Sequence, residues 1–403
     1  MINLEVPRKF GPLVGQARQV AGEVLRPISR RYDRDEHARP KELDMLAALI
    51  EGAEDGADIG GAGAAGVRRS TGGGDAGSRN GSNMSTALSI MELCWGDVGL
   101  LLSLPGQGLG NSAIASVADD EQLARFEGRW AAMAITEPEA GSDSASIRTT
   151  AVLDGDEYVL NGEKIYVTAG ERADLVVVWA TLDRSLGRAA IKSFVVERSN
   201  PGLILERLEH KLGIRASDTA AFRLEDCRIP KENLLGSPDI DTGRGFAGAM
   251  QTFDNTRPLV AAMAVGVTRA SLDETTRLLR EAGIEVDHDR PAALQPAAAA
   301  ELIAMEADYE ASRLLTLAAC WMADNGKPNS LEASMAKAKA GRTCVDVALR
   351  CVRLAGTLGY GEELLLEKWA RDAKILDIFE GTQQIQLLII ARQVLGKTSA
   401  ELR

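Results

Sequence analysis

Apolar positions along the chain follow two periods, and the changes between them mark out three regions. From Gly11 to Ile50 the spacing is helical, with Val14, Ala17, Ala21, Val24 and Ile28 alternating steps of three and four. Pro40 predicts the start of a second helix carrying Leu43, Leu46 and Leu49. Helical spacing recurs over 84–102 and 108–126, divided by Pro105-Gly106. Between Ala131 and Ile240 the period shortens. Residues 156–160 and 163–167, separated by Asn161-Gly162, predict a two-residue hairpin, because Asn-Gly supplies the positive φ angles of a type I′ turn. Residues 175–179 and 191–196 read as further strands, and short strands at close spacing predict an antiparallel β domain. From Phe246 onward the helical period returns: Leu302, Met305 and Tyr309 share a face, and 331–354 and 383–395 are long helical runs. Such segments with short connections predict an antiparallel bundle. The expected fold is α+β and multidomain, with an N-terminal helical domain (1–130), a middle β domain (131–240) and a C-terminal helical bundle (241–403). No internal repeat is visible.

A length of 403 residues suits two or three domains and a large core. With 45% apolar and 26% charged residues the composition is that of a globular protein, which excludes general disorder. The net charge of −12 argues against non-specific nucleic-acid binding and leaves room for a local basic pocket. Cys94, Cys227, Cys320, Cys344 and Cys351 are scattered without CxxC or Cys/His ligand spacing. They read as reduced, buried thiols of a cytoplasmic protein rather than a disulfide frame or zinc site. With only His37, His210 and His288, no histidine metal cluster is expected. Residues 1–10 show no apolar signal core, and the longest apolar stretches, 175–180 and 387–391, fall far short of the ~20 residues that span a bilayer. A soluble intracellular protein is expected.

Three motifs bear on chemistry, each with a bland alternative. Glycine is abundant, at 40 residues, and concentrated between Gly52 and Gly81. Gly61-Ala-Gly63-Ala-Ala-Gly66 fits G-x-G-x-x-G, but that fingerprint has meaning only between a strand and a helix. A helix and the acidic Glu51, Glu54, Asp55 and Asp58 precede it, and the glycines after Thr71 cannot start a stable helix, so a flexible surface loop is expected. In Thr136-Glu-Pro-Glu-Ala-Gly141-Ser142-Asp143, Gly141 allows close backbone approach to a ligand, and Ser142 with exposed amides can hold a phosphate; the alternative is an ordinary turn. In 378–386, Thr382 is a plausible N-cap. Glu380 then sits before the positive helix end, either simply stabilising it or, if neighbours such as Phe379 raise its pKa, serving as a base.

Four ordered blocks make the chain resemble the acyl-CoA dehydrogenase family from about Ala131 to the C-terminus, with a weaker helical match upstream. They are Ala134-Ile-Thr-Glu-Pro-Glu-Ala-Gly-Ser-Asp143, Asn161-Gly-Glu-Lys-Ile-Tyr-Val-Thr-Ala-Gly170, Phe253-Asp-Asn-Thr-Arg-Pro258, and Lys368-Trp-Ala-Arg-Asp-Ala-Lys-Ile375 through Glu380-Gly-Thr-Gln-Gln-Ile-Gln386. Actinobacterial fatty-acid and steroid side-chain dehydrogenases are the nearest resemblance. It implies a helical domain, a β domain and a C-terminal four-helix bundle. It also implies FAD-dependent α,β-dehydrogenation of an acyl-CoA thioester, with an electron-transfer flavoprotein as acceptor. Glu380 matches the family base. Met133, Thr136, Gly141, Ser142, Tyr166, Thr168, Thr382 and Gln384 match FAD contacts, Ser142 near the phosphates and Tyr166 where an aromatic packs on the flavin. Ser142, Asp254, Arg257 and Gly381 match positions on the substrate side, although Arg257 also reads as half of a structural ion pair. An acyl-CoA oxidase and a partner subunit that assembles a relative's site are the alternatives.

The chain departs from the family pattern in two places. The Arg-x-x-Phe-Gly segment and later glutamine that reach a neighbouring subunit's flavin are replaced by Leu279-Arg-Glu-Ala-Gly-Ile-Glu-Val-Asp-His-Asp-Arg290, with Gln295 in an Ala/Pro setting. The second such block reads Arg353-Leu-Ala-Gly356-Thr-Leu-Gly359. A tetramer is implied by the resemblance, and these changes point to one mixed with a related subunit, the alternative being a homo-oligomer that binds flavin by other contacts.

Overall fold

Helices α1 (Gly11–Val20) and α2 (Arg26–Arg34) run on through a widened turn at Ala21–Leu25, whose Ala21 and Leu25 are fully buried. The computed structural model describes residues 6–53, 81–106, 109–240, 247–398 and 401; the glycine-rich stretch read as a flexible loop lies, from 54 to 80, outside the described residues. Helix α3 (Lys41–Ala53) starts after Pro40, as the sequence predicts. The two helical runs that follow each break once, giving α4 (Ser82–Gly96), α5 (Val98–Leu101), α6 (Leu109–Val117) and α7 (Asp120–Phe126). At the first break Asp97 caps α5 by accepting from Leu100 N at 2.8 Å. At the second, Asp119 and Gln122 form a capping box.

The middle region is one seven-stranded sheet of β1 (Ala131–Ala134), β2 (Thr150–Asp154), β3 (Glu157–Thr168), β4 (Leu175–Thr181), β5 (Ile191–Glu197), β6 (Leu203–Leu208) and β7 (Thr219–Pro230). Its order is β1-β4-β2-β3-β7-β6, with β5 on β4. The pairing is largely antiparallel, but β1 and β2 each meet β4 in parallel. All seven residues of β4 are buried because both its faces are covered: Val176, Val178 and Ala180 join one apolar cluster, Leu175, Val177 and Trp179 another.

The Asn161-Gly162 hairpin is corrected. Strand β3 runs straight through that dipeptide, and the turn lies earlier, at Gly155-Asp156, beyond the last β2–β3 pair Asp154 and Glu157. Gly155 supplies the positive φ there, 66°. Gly162 instead marks an irregularity in the pairing with β7. A Cβ on it would lie 2.7 Å from Thr149 Cα, so it serves a close backbone approach. Asn161 Oδ1 is occupied across the sheet, accepting from Asp226 N at 2.8 Å.

Helices α8 (Ala247–Glu281), α9 (Ala297–Asp324) and α10 (Ser330–Ala355) pack on one another. The short α11 (Thr357–Tyr360) leads to α12 (Leu366–Leu376), and α13 (Gln383–Leu395) packs on α10. Ile90, Met91 and Cys94 of α4 share one apolar core with Val265, Leu302, Cys344 and Trp369 of the bundle side, so the first and last regions are continuous inside. A buried ionic cluster ties in the β region. Lys368 Nζ lies 2.7 Å from Asp97 and 2.6 Å from Asp372, whose other oxygen accepts from Ile214 N at 2.6 Å. All five cysteines are buried free thiols. Among the described residues no helix is long and apolar enough to cross a membrane.

Candidate active site

The segment between α12 and α13 reverses through two consecutive left-handed residues, Glu380 (φ 57°) and Gly381 (φ 96°). For a residue with a side chain that conformation costs roughly 1–2 kcal/mol, so the surroundings must hold it. Gln386 Nε2 donates to Glu380 O at 3.2 Å and Gly381 O at 3.1 Å, and Lys337 Nζ donates to Gly381 O at 2.8 Å. A Cβ at Gly381 would come within 2.5 Å of that Gln386 nitrogen, which explains the glycine. Thr382 is the N-cap of α13, its Oγ1 accepting from Ile385 N at 3.4 Å, as the sequence predicts.

The Glu380 side chain meets α8. Its Oε2 accepts from the Thr256 hydroxyl at 2.8 Å, and Arg257, buried on the same helix, adds a nearby positive charge. Glu380 retains some exposure as a residue, but its carboxyl end is enclosed by protein. That desolvation raises its pKa above the ordinary carboxylate value, against the opposing pull of Thr256, Arg257 and Lys337. Burial in turn lowers the Lys337 pKa to about 8, while Asp377 and Glu380 act to raise it. A carboxylate so placed binds a proton more tightly than one in water yet stays tethered by donors, which is what a general base requires.

A second group of expected residues gathers on the β region. Met133 lies half-buried on β1, and the loop after it is fastened to β3 by Ile165 N donating to Thr136 O at 2.9 Å. Glu137 and Ala140 exchange backbone hydrogen bonds at 3.1 Å, a tight turn that presents Gly141 and Ser142 to solvent. Nothing lies within 4 Å of a Cβ built on Gly141. Tyr166 stands in a bulge of β3 at φ 59° with its side chain outward, 63% exposed, and Thr168 follows at the strand end. Beneath this surface Lys164, fully buried, meets Glu137 at 2.7 Å and donates to Ile135 O at 3.1 Å. Burial works against the Glu137 charge, but Lys164 and the donors of Arg148 and Thr149 keep its pKa below the ordinary value.

The structure therefore brings Glu380, Gly381, Thr382 and Arg257 together, and separately Met133, Thr136, Gly141, Ser142, Tyr166 and Thr168. Gln384 is exposed on the first turn of α13. Asp254 lies on α8, but its side chain is outside the described residues. Thr256, Lys337, Lys164 and Gln386 were not singled out from sequence. Lys337 had a signal: it interrupts the apolar stripe of Ala333, Ala336, Ala340 and Cys344. Two of the three histidines converge, the rings of His37 and His210 lying 5.1 Å apart with His210 Nδ1 3.0 Å from Glu36 and His37 Nε2 3.0 Å from Glu209 O, while His288 pairs separately with Glu306.

Residues 132–227 match the acyl-CoA dehydrogenase middle domain, and residues 243–395 the acyl-CoA dehydrogenase C-terminal domain. A short-chain specific acyl-CoA dehydrogenase of Clostridium acetobutylicum is 34% identical over 330 residues, 79% of this chain and 84% of that protein. The chain belongs to the acyl-CoA dehydrogenase family. The mitochondrial short-chain specific acyl-CoA dehydrogenase of Rattus norvegicus is 41% identical over 267 residues, 65% of this chain, and the match spans 62% of that protein's length. Butyryl-CoA dehydrogenase of Megasphaera elsdenii superposes with a TM-score of 0.80 at 29% identity, covering 98% of this chain and 100% of that one. Acyl-CoA dehydrogenases are in general FAD-dependent flavoproteins. The residues present suit such a group: hydroxyls at Thr136, Ser142 and Thr168, an outward aromatic at Tyr166, and open space beside Gly141.

Proposed function

We propose that this acyl-CoA dehydrogenase removes the α proton of an acyl-CoA thioester with Glu380 as α,β-dehydrogenation proceeds. The observation that carries the reading is the enclosed Glu380 carboxylate, with raised proton affinity, accepting from Thr256. An α proton beside a thioester is only weakly acidic, so the base must be desolvated and the developing oxyanion must meet donors. The family resemblance supplies the Glu380 backbone amide as one such donor. FAD, when bound, supplies the hydride acceptor for the β carbon. Met133, Thr136, Gly141, Ser142, Tyr166 and Thr168 would hold it, and Thr382 and Gln384 would add contacts from α13. Arg257 and Gly381, with Asp254, would face the acyl-CoA side.

The relatives described above are named for short-chain or butyryl substrates, which supports a short acyl group. Anaerobic titration with acyl-CoAs of increasing length, followed by loss of flavin absorbance, tests both points. Glu380→Gln is expected to keep its flavin and lose bleaching. Bleaching at the wild-type rate would overturn the assignment. An electron-transfer flavoprotein is the proposed acceptor; substrate-driven oxygen consumption would make the protein an oxidase instead.

One observation favours a mixed tetramer. Gln295 is stapled within its own loop, its Nε2 donating to Asp287 O at 2.7 Å and Arg290 O at 2.9 Å while its Oε1 accepts from Asp287 N at 2.9 Å. In this arrangement its polar atoms serve that loop rather than a neighbouring subunit's flavin. A homotetramer with four tightly held flavins and full activity would refute the mixed assembly.

A further inference from the structure

We propose that Lys337 is a positioning residue: its buried ammonium pins the Gly381 carbonyl and thereby fixes the left-handed Glu380–Gly381 turn that aims the base. The proposal rests on Glu380 being that base. Lys337 lies in the N-terminal third of α10 and is fully buried, and its Nζ donates to Gly381 O at 2.8 Å. Packing alone does not call for a charge there, since an apolar side chain of similar volume would fill the stripe without the cost of burying an ammonium.

What the charge does is geometric and electrostatic. Of the hydrogen bonds that hold the two carbonyls of the turn, those from Gln386 come from α13, which the turn itself leads into. The bond from Lys337 comes from the bundle and anchors the backbone to a rigid element. Thr256 of α8 anchors the carboxylate, so the backbone of the turn at Gly381 and the side chain of the base are held from two different helices. Losing the Lys337 bond leaves Gly381 O held only by Gln386, from the helix the turn leads into, and so lets Glu380 leave its costly φ. Among the described residues, the charged groups bearing on the Glu380 carboxyl are Arg257 from α8 and Lys337 from α10; Lys337 in turn senses Asp377, Glu380 and Arg257.

The test uses the flavin-loaded protein with Lys337→Met, which removes donor and charge, and Lys337→Gln, which keeps a donor and removes the charge. Flavin content, acyl-CoA affinity and the single-turnover rate of flavin bleaching are measured against pH. For Lys337→Met we expect flavin and acyl-CoA binding within a few-fold of wild type and bleaching slowed about 100-fold, the size of effect that ~1 Å of misplacement produces. The acid limb of its rate profile should move to higher pH, because a cation favouring ionised Glu380 is gone. Lys337→Gln should show the same shift of the limb with a smaller loss of rate on the alkaline plateau, and it carries the test if the Met variant does not fold. Unchanged bleaching per bound flavin and an unmoved acid limb in the folded variants would refute the role. If Glu380→Gln also bleaches normally, the base assignment itself fails; if Glu380→Gln is inert while the Lys337 variants behave as wild type, only the positioning role does.

Discussion

The Thr256 hydroxyl donates to Glu380 Oε2 across 2.8 Å, joining helix α8 to the turn before α13. This bond stabilises the ionised carboxylate, against the desolvation that raises its pKa. Thr256→Val removes it, so the pKa rises further and the base is charged only at higher pH. The acid limb of the flavin-bleaching profile should move upward. Hydrogen bonds to charged groups contribute roughly 1.5–3 kcal/mol, so the rate below the limb should fall by about 10- to 100-fold. Thr256→Ser should restore it; a limb unmoved in the Val variant would show that the hydroxyl does not hold the base.

The pair Lys164 and Glu137, 2.7 Å apart and buried, supports the loop that presents Thr136, Gly141 and Ser142. Lys164→Met keeps most of the volume but leaves a buried carboxylate without its cation, a loss of about 3–5 kcal/mol. The expected result is a lower melting temperature together with flavin lost on dialysis. Wild-type flavin retention after dialysis would separate this pair from the cofactor loop.

Glu92 of α4 accepts from Arg269 of α8 through both oxygens, at 2.8 and 2.7 Å, and from the exposed Arg18 of α1 at 3.1 Å. Its pKa is lowered in the folded state: burial opposes the charge, but the two arginines outweigh it. A lowered carboxylate stabilises the fold fully above its unfolded pKa, near 4.5, and loses that contribution as the pH falls through the lower folded value. Glu92→Gln should therefore cost about 3–5 kcal/mol at neutral pH, most of it from Arg269, since the exposed Arg18 adds little. The gap to wild type should narrow below pH 4.5 in denaturant melts. A gap independent of pH would mean that the charge of Glu92 contributes nothing.

Much of the fold was legible in the chain because period is a local property. Helical spacing at Val14, Ala17 and Ala21 and the continuous apolar run of β4 report burial face by face. The N-cap at Thr382 was legible for the same reason, since capping engages only the next turn. The Asn161-Gly162 turn misled because its usual local meaning was overridden by a distant atom: Thr149 approaches so closely that only glycine fits, and the strand continues.

The sequence by itself determined the order of helical, β and helical regions, encoded in residue type and near-neighbour spacing, while the family and Glu380 as the candidate base came from its ordered resemblance to acyl-CoA dehydrogenases. Tertiary structure decided what surrounds that carboxylate. Thr256, Lys337 and Gln386 reach the turn from α8, α10 and α13, up to 124 residues away along the chain. Desolvation and hydrogen-bond geometry depend on distances in space, and no short-range pattern records them.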